Sequence, residues 1–190
     1  MKSARRISLP QSLLTAKPYA NTTGQAGGLA HAYFVARQYD KAIELFRKTL
    51  EKDPDKPQPH AILGETYLAK EMYAEGVAEI QKAVSLDNAP ERWDRHPLLA
   101  YAYAMTGTRD AAQRILNEQK MLEKQGYISP YNFAIIYTGL GDKDRAFEWL
   151  EKGYEQRIPL IYRLKSRPMF DPLRSDPRYA ALLRKMNLTP

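Results

Sequence analysis

The chain has 190 residues, enough for one compact domain or one short solenoid, and its 44% hydrophobic and 27% charged residues are ordinary for a folded protein in water. It has no cysteine, which excludes disulfides, thiolate nucleophiles and cysteine-ligated metals, and its apolar runs are far too short to span a bilayer. The formal charge of +7 sits at the two ends: residues 1–39 hold five basic and no acidic residues, residues 40–156 hold 16 basic and 20 acidic, and residues 157–190 hold eight basic and two acidic. A nucleic-acid binder carries its basic stripe along the folded body, so nucleic acid is not the expected partner.

Residues 1–21 lack hydrophobic periodicity and are expected to form a flexible tail. Met1 to Pro10 contains basic residues with no apolar stretch behind them, which does not read as a secretory signal and implies a cytoplasmic setting. From residue 22 an internal repeat begins. Tyr33, Tyr67, Tyr103 and Tyr137 are spaced by 34, 36 and 34 residues. Three positions before each stands a small residue (Ala30, Gly64, Ala100, Ala134), and one further back a large apolar one (Leu29, Leu63, Leu99, Phe133). Nine positions after each tyrosine comes another small residue (Ala42, Gly76, Ala112, Ala146), and four beyond it a large apolar residue (Phe46, Ile80, Leu116, Leu150).

Each repeat therefore predicts a helical hairpin. The first set of columns places residues i, i+1 and i+4 on one face of a first helix, and the second set does the same for a second helix. Small residues in both helices suit a place where the two axes approach closely. Asp40, Thr108 and Asp142 stand where second-helix N-caps belong, and Gly107 and Gly141 follow first helices, where a left-handed cap favours glycine. Asp53-Pro54 and Asp87-Asn88 read as stops to second helices, and the glycines between Gly24 and Gly28 read as a loosened entry to the first helix.

These columns resemble the tetratricopeptide repeat (TPR), whose period is about 34 residues. The resemblance implies an all-α fold: a right-handed α-solenoid of about four TPR hairpins over residues 22–157. The family's early tryptophan is replaced by Ala26, His60, His96 and Pro130, and two extra residues near Glu91 to Arg95 separate the second and third repeats.

Residues 158–190 are expected to cap the last hairpin, because an uncovered final repeat would expose an apolar face. Pro159 argues against a continuing helix. Asp176-Pro177 reads as N-cap and first helical residue, followed by a short helix from Arg178 to Met186 that buries Tyr179, Leu182, Leu183 and Met186. The run Ser129-Pro130, Ala134, Tyr137, Leu140-Gly141-Asp142, Ala146, Trp149-Leu150, then Phe170 to Arg178 and Leu182-Leu183, resembles the C-terminal TPR segment of bacterial winged-helix regulators, adenylate cyclases and serine/threonine kinases. That resemblance implies a regulatory or protein-binding accessory region and imports none of those domains' chemistry.

No catalytic constellation appears, so the chain is read as a non-enzyme without cofactor or metal. His31, His60 and His96 lack a pair at i, i+3 or i, i+4, and His60 and His96 occupy the tryptophan column, where hairpin packing explains them. The carboxylate pairs Asp53/Asp55 and Glu75/Glu79 read as solvated outer-face charges. The TPR resemblance places a partner-binding groove on the concave side of the first helices. Mapped onto this sequence it is lined by His31, Phe34, Val35, Glu65, Leu68, Tyr101, Met105, Tyr131 and Ile135, an apolar and aromatic surface. The TPR clamp that holds chaperone C-terminal carboxylates uses lysine, asparagine and arginine. Here Gly27, His31, Glu65, Pro97 and Tyr101 stand in those places, and Glu65 would repel a carboxylate. The expected function is to bind another protein or a peptide segment, with a role in a bacterial signalling protein as the alternative and homo-oligomerisation left open.

Overall fold

A computed structural model describes residues 22–86, 96–125 and 128–189. The expected tail, the Asp87-Asn88 stop and the extra residues near Glu91 to Arg95 lie outside them.

Among the described residues the regular structure is helical throughout, and it follows the predicted hairpins. Helices α1 (Thr22–Val35) and α2 (Tyr39–Lys52) form the first hairpin, α3 (Pro57–Ala69) and α4 (Tyr73–Ser85) the second. Helices α5 (His96–Met105) and α6 (Arg109–Gln125) form the third, α7 (Pro130–Leu140) and α8 (Lys143–Glu155) the fourth. Two 3₁₀ segments, Pro159–Arg163 and Pro168–Leu173, then lead into α9 (Pro177–Lys185). Each first helix packs on its own second helix and on the first helix of the next hairpin, and each second helix also touches the first helix that follows it. The result is an all-α solenoid with the first helices on the inside.

That position explains a difference in composition. The inner helices α3 and α7 are buried on every side, from His60 to Leu68 and from Pro130 to Thr138. The outer helices bury one stripe: Ala42, Ile43, Phe46 and Thr49 in α2, Ala146, Phe147, Leu150 and Gly153 in α8. The first glycine expectation needs correction, because Gly24 to Gly28 lie inside α1 rather than before it.

The turns between paired helices share one backbone device. Gly107 and Gly141 adopt φ of +80° and +77°, as their placement after first helices predicted. The equivalent positions in the first two repeats are Arg37 and Glu71, at φ of 59° and 61°, where an L side chain is strained. Asp142 caps α8 by accepting from the Arg145 backbone N–H at 3.1 Å. Asp40 is no cap: α2 begins at Tyr39 after Gln38, and Asp40 stands in its first turn, where a carboxylate favours the helix dipole.

The second hairpin is the most tightly closed. A β-carbon on Gly64 would lie 2.6 Å from the Ile80 side chain and 2.9 Å from the Gly76 carbonyl oxygen; one on Gly76 would lie 2.7 Å from Leu68 and 3.1 Å from the Gly64 carbonyl. Two glycines facing each other let α3 and α4 approach to backbone contact, where the other repeats carry alanine pairs.

Candidate functional site on the concave face

The C-terminal stretch does more than cap the last hairpin. Helix α9 does cover α8: Arg178 pairs with Asp144 at 2.8 Å, Lys185 with Glu151 at 2.7 Å, and the Tyr154 hydroxyl donates to the Lys185 carbonyl at 2.9 Å. Tyr179, Leu182, Leu183 and Met186 are buried as expected, and Asp176 caps the helix by accepting from the Arg178 N–H at 3.0 Å. Residues 159–173, however, cross the inside of the solenoid and reach its first hairpin. Phe170 is fully buried with its ring edge-on to Tyr131 of α7 at 5.5 Å. Arg167 stacks over Phe34 of α1 at 5.8 Å. Arg37, at the end of α1, holds Asp171 through both guanidinium nitrogens at 2.5 and 2.7 Å, and Arg174 donates to the same carboxylate at 2.5 Å. Burial raises the Asp171 pKa, but those two arginines outweigh it and hold the carboxyl below its usual range.

The expected open groove is therefore corrected. Phe34, Glu65, Leu68, Tyr101, Tyr131 and Ile135 are all buried, Leu68 against Gly76 of α4, and the crossing segment packs over Phe34, Glu65 and Tyr131. Only Val35, 42% exposed, Met105, 36% exposed, and half-buried His31 keep open surface. The physical reason is that Ile161, Leu164, Met169, Phe170 and Leu173 need burial, and the concave side offers apolar surface to match. The sequence run was legible as apolar; its direction of travel was not.

Glu65 is the electrostatic centre of this interior. It is 2% exposed, and Arg167 Nη2 stands 2.5 Å from its carboxylate. The approach is close but misaligned, so neither carboxylate oxygen receives a well-directed hydrogen bond. Burial pushes the Glu65 carboxyl up to about 7, with Arg167 and then Arg163 opposing the rise. Glu65 was expected to repel a carboxylate; its charge is in fact countered by an arginine from the crossing segment. The Tyr131 hydroxyl, also without a hydrogen-bond partner, is pushed up to about 12, first by burial. His31 is held below its ordinary value by burial and then by Arg167 and Arg163. Sequence reasoning missed Arg163 and Arg167; the one available signal was the basic excess of residues 157–190, which had been assigned to a cap.

The other titratable pairs are structural. His60 Nδ1 meets Glu79 at 2.5 Å and Nε2 meets the Pro54 carbonyl at 2.8 Å, so Glu79 is not a free outer-face charge. The ring bridges two turns of the second repeat, in keeping with a packing role.

Models of the tetratricopeptide repeat family match residues 33–95 and 131–157. The chain carries tetratricopeptide repeats. The matched segments coincide with the second and fourth hairpins and the flanking part of the first. The TPR chain is also 33% identical over 87 residues to ALBINO3-like protein 3, mitochondrial, of Arabidopsis thaliana. That match takes in 45% of this chain and spans only 15% of the plant protein. TPR hairpins are typically interaction modules rather than catalysts. Among the described residues no helix is long and apolar enough to cross a membrane.

Proposed function

We propose that this TPR protein is a non-enzymatic scaffold that binds a segment of a partner protein. The tandem hairpins carry the reading, since they give an extended inner surface of repeated side chains of the kind that TPR proteins use for binding other proteins. The crossing segment is too deeply anchored, through Phe170 and Leu173 at zero exposure, to be displaced by a peptide. The partner therefore meets a composite surface, made by the rim residues His31, Val35 and Met105 together with the outward side of the crossing segment. Phe34, Glu65 and Tyr131 of the sequence-derived groove support that surface from beneath.

The test is affinity capture with mass spectrometry in the source cells, comparing the wild-type chain with a His31→Glu/Val35→Asp variant. Val35 is exposed and His31 half-buried, and a melting curve matched to wild type checks that the variant keeps its fold. A partner present with wild type and lost with the variant is the expected result. An identical set of captured proteins would refute the surface assigned here.

A second reading is a regulatory part of a larger signalling protein; the plant relative, in which the matching residues form a small share of a longer chain, bears on the larger chain and not on signalling. The run from Phe170 to Arg178 does not add to it. Phe170 and Leu173 fill the interior, Asp171 ties α1, and Asp176 and Arg178 anchor α9, so that run is accounted for by folding. Sequencing the gene on both sides of this chain separates the two readings.

A further inference from the structure

Between α3, α5, α7 and the crossing segment lies a cavity of about 100 Å³. Its polar groups are uneven. Glu65 presents a carboxylate that no hydrogen bond satisfies, the Tyr131 hydroxyl and Arg167 Nε are likewise buried without hydrogen-bond partners, and all three residues line the space. Such groups cost free energy unless something bonds them; the 2.5 Å Arg167–Glu65 ion pair balances the charges but leaves the carboxylate, Arg167 Nε and the Tyr131 hydroxyl without well-directed hydrogen bonds. At the mouth stands Arg163, exposed, and among the described residues no carboxylate lies within ion-pair distance of it. The remaining wall is mixed: Ile62, Leu98, Ile135 and Leu160 give it an aliphatic patch, and Gln58 and Asn132 add two side-chain amides.

We propose that this cavity binds a free α-amino acid with a short aliphatic side chain. The complementarity is chemical. The site offers one buried anionic acceptor and several donors, so it asks for a ligand carrying one cationic donor and one anionic acceptor a short distance apart. An α-ammonium group fits against the Glu65 carboxylate and an α-carboxylate against Arg163, Arg167 and the Tyr131 hydroxyl. The aliphatic patch takes the side chain, and the volume admits a single residue rather than a peptide. The crossing segment contributes both arginines, so ligand and segment would hold each other in place. Exposed Arg163 borders the partner surface, but the cavity lies beneath it, and titrating the chain alone tests this site separately from the scaffold reading.

The experiment is isothermal titration calorimetry of the full chain with L-valine and L-leucine, set against valinamide, N-acetyl-L-valine and isovalerate. Saturable binding of an amino acid is expected. Each analogue that lacks one of the two charges should bind about tenfold more weakly or worse. Arg163→Ala, at an exposed position, should fold normally and weaken binding by about tenfold. Tyr131→Phe removes an unsatisfied hydroxyl, so it should leave the melting temperature of the ligand-free protein equal or higher while weakening the amino acid; a purely structural hydroxyl would leave affinity unchanged. No saturable heat up to about 10 mM of either amino acid overturns the proposal, since that lies beyond the range of specific sites. Equal binding of N-acetyl-L-valine or isovalerate also overturns it, because the ligand's ammonium group would then contribute nothing at Glu65.

Discussion

Replacing Gly64 with alanine sets two effects against each other. Alanine is favoured over glycine in a helix interior by about 1 kcal/mol. Alanine also stands in this column in the other three repeats, at Ala30, Ala100 and Ala134, so repeat consensus recommends the change. The structure predicts the opposite. The added carbon would sit 2.6 Å from the Ile80 side chain and 2.9 Å from the Gly76 carbonyl oxygen. Ile80 can shift to relieve the first contact; the second is against backbone and needs α3 and α4 to move apart. Overpacking of this kind costs about 1–3 kcal/mol, and subtracting the helix gain leaves a net loss of up to about 2 kcal/mol. For a chain of this size that lowers the melting temperature by up to roughly 8 °C. Gly27→Ala is the internal control, because nothing lies within 4 Å of its would-be β-carbon. It should raise the melting temperature by roughly 2–4 °C, the full propensity gain. Circular dichroism melts of the two variants decide the matter. If Gly64→Ala stabilises the protein as Gly27→Ala does, the close approach of α3 and α4 is not what the glycines are for.

Glu71→Gly should stabilise the chain by about 1 kcal/mol in urea denaturation, since Glu71 sits exposed at a φ of 61° where the third and fourth repeats use glycine. Phe170→Ala should cost about 3–5 kcal/mol, the range for emptying a fully buried phenylalanine site, and proteolysis should then cut the 159–173 segment first. Glu65 gives a pH signature. Its carboxyl binds its proton more tightly in the folded state, at about 7, than at its unfolded value of 4.5, so stability falls as pH rises between those values and levels off above them. The shift corresponds to about 3 kcal/mol. Urea denaturation across pH 5 to 8 should show that decline in wild type and a flatter profile in Glu65→Gln; equal slopes would remove Glu65 as the cause.

The hairpins were legible because helix packing is local. A column such as Ala42 or Leu116 reports a contact made with a neighbour a few turns away in sequence. The caps at Asp142 and Asp176 were legible for the same reason. The path of residues 159–173 was not, because nothing local distinguishes a segment that covers an end from one that turns inward. Arg37 and Asp171 carry no mutual signature in the sequence although they meet through paired hydrogen bonds. Glu65 was misjudged for that reason alone: its own helix supplies no partner, and Arg167 arrives from far along the chain.

The Arg37–Asp171 contact joins residues 134 positions apart. An open repeat array can nucleate at any hairpin and grow by neighbours, and it frays from its ends. Joining first to last repeat turns that ladder into a ring in the topological sense. Closing a loop of that length carries an entropic cost of about 4 kcal/mol, which falls due only once the four hairpins have assembled. The crossing segment should therefore dock late in folding, and a nascent chain would hold its inner surface open until residues 159–173 were made. Once docked, the outermost hairpin can no longer melt independently, and the array unfolds as one body rather than repeat by repeat.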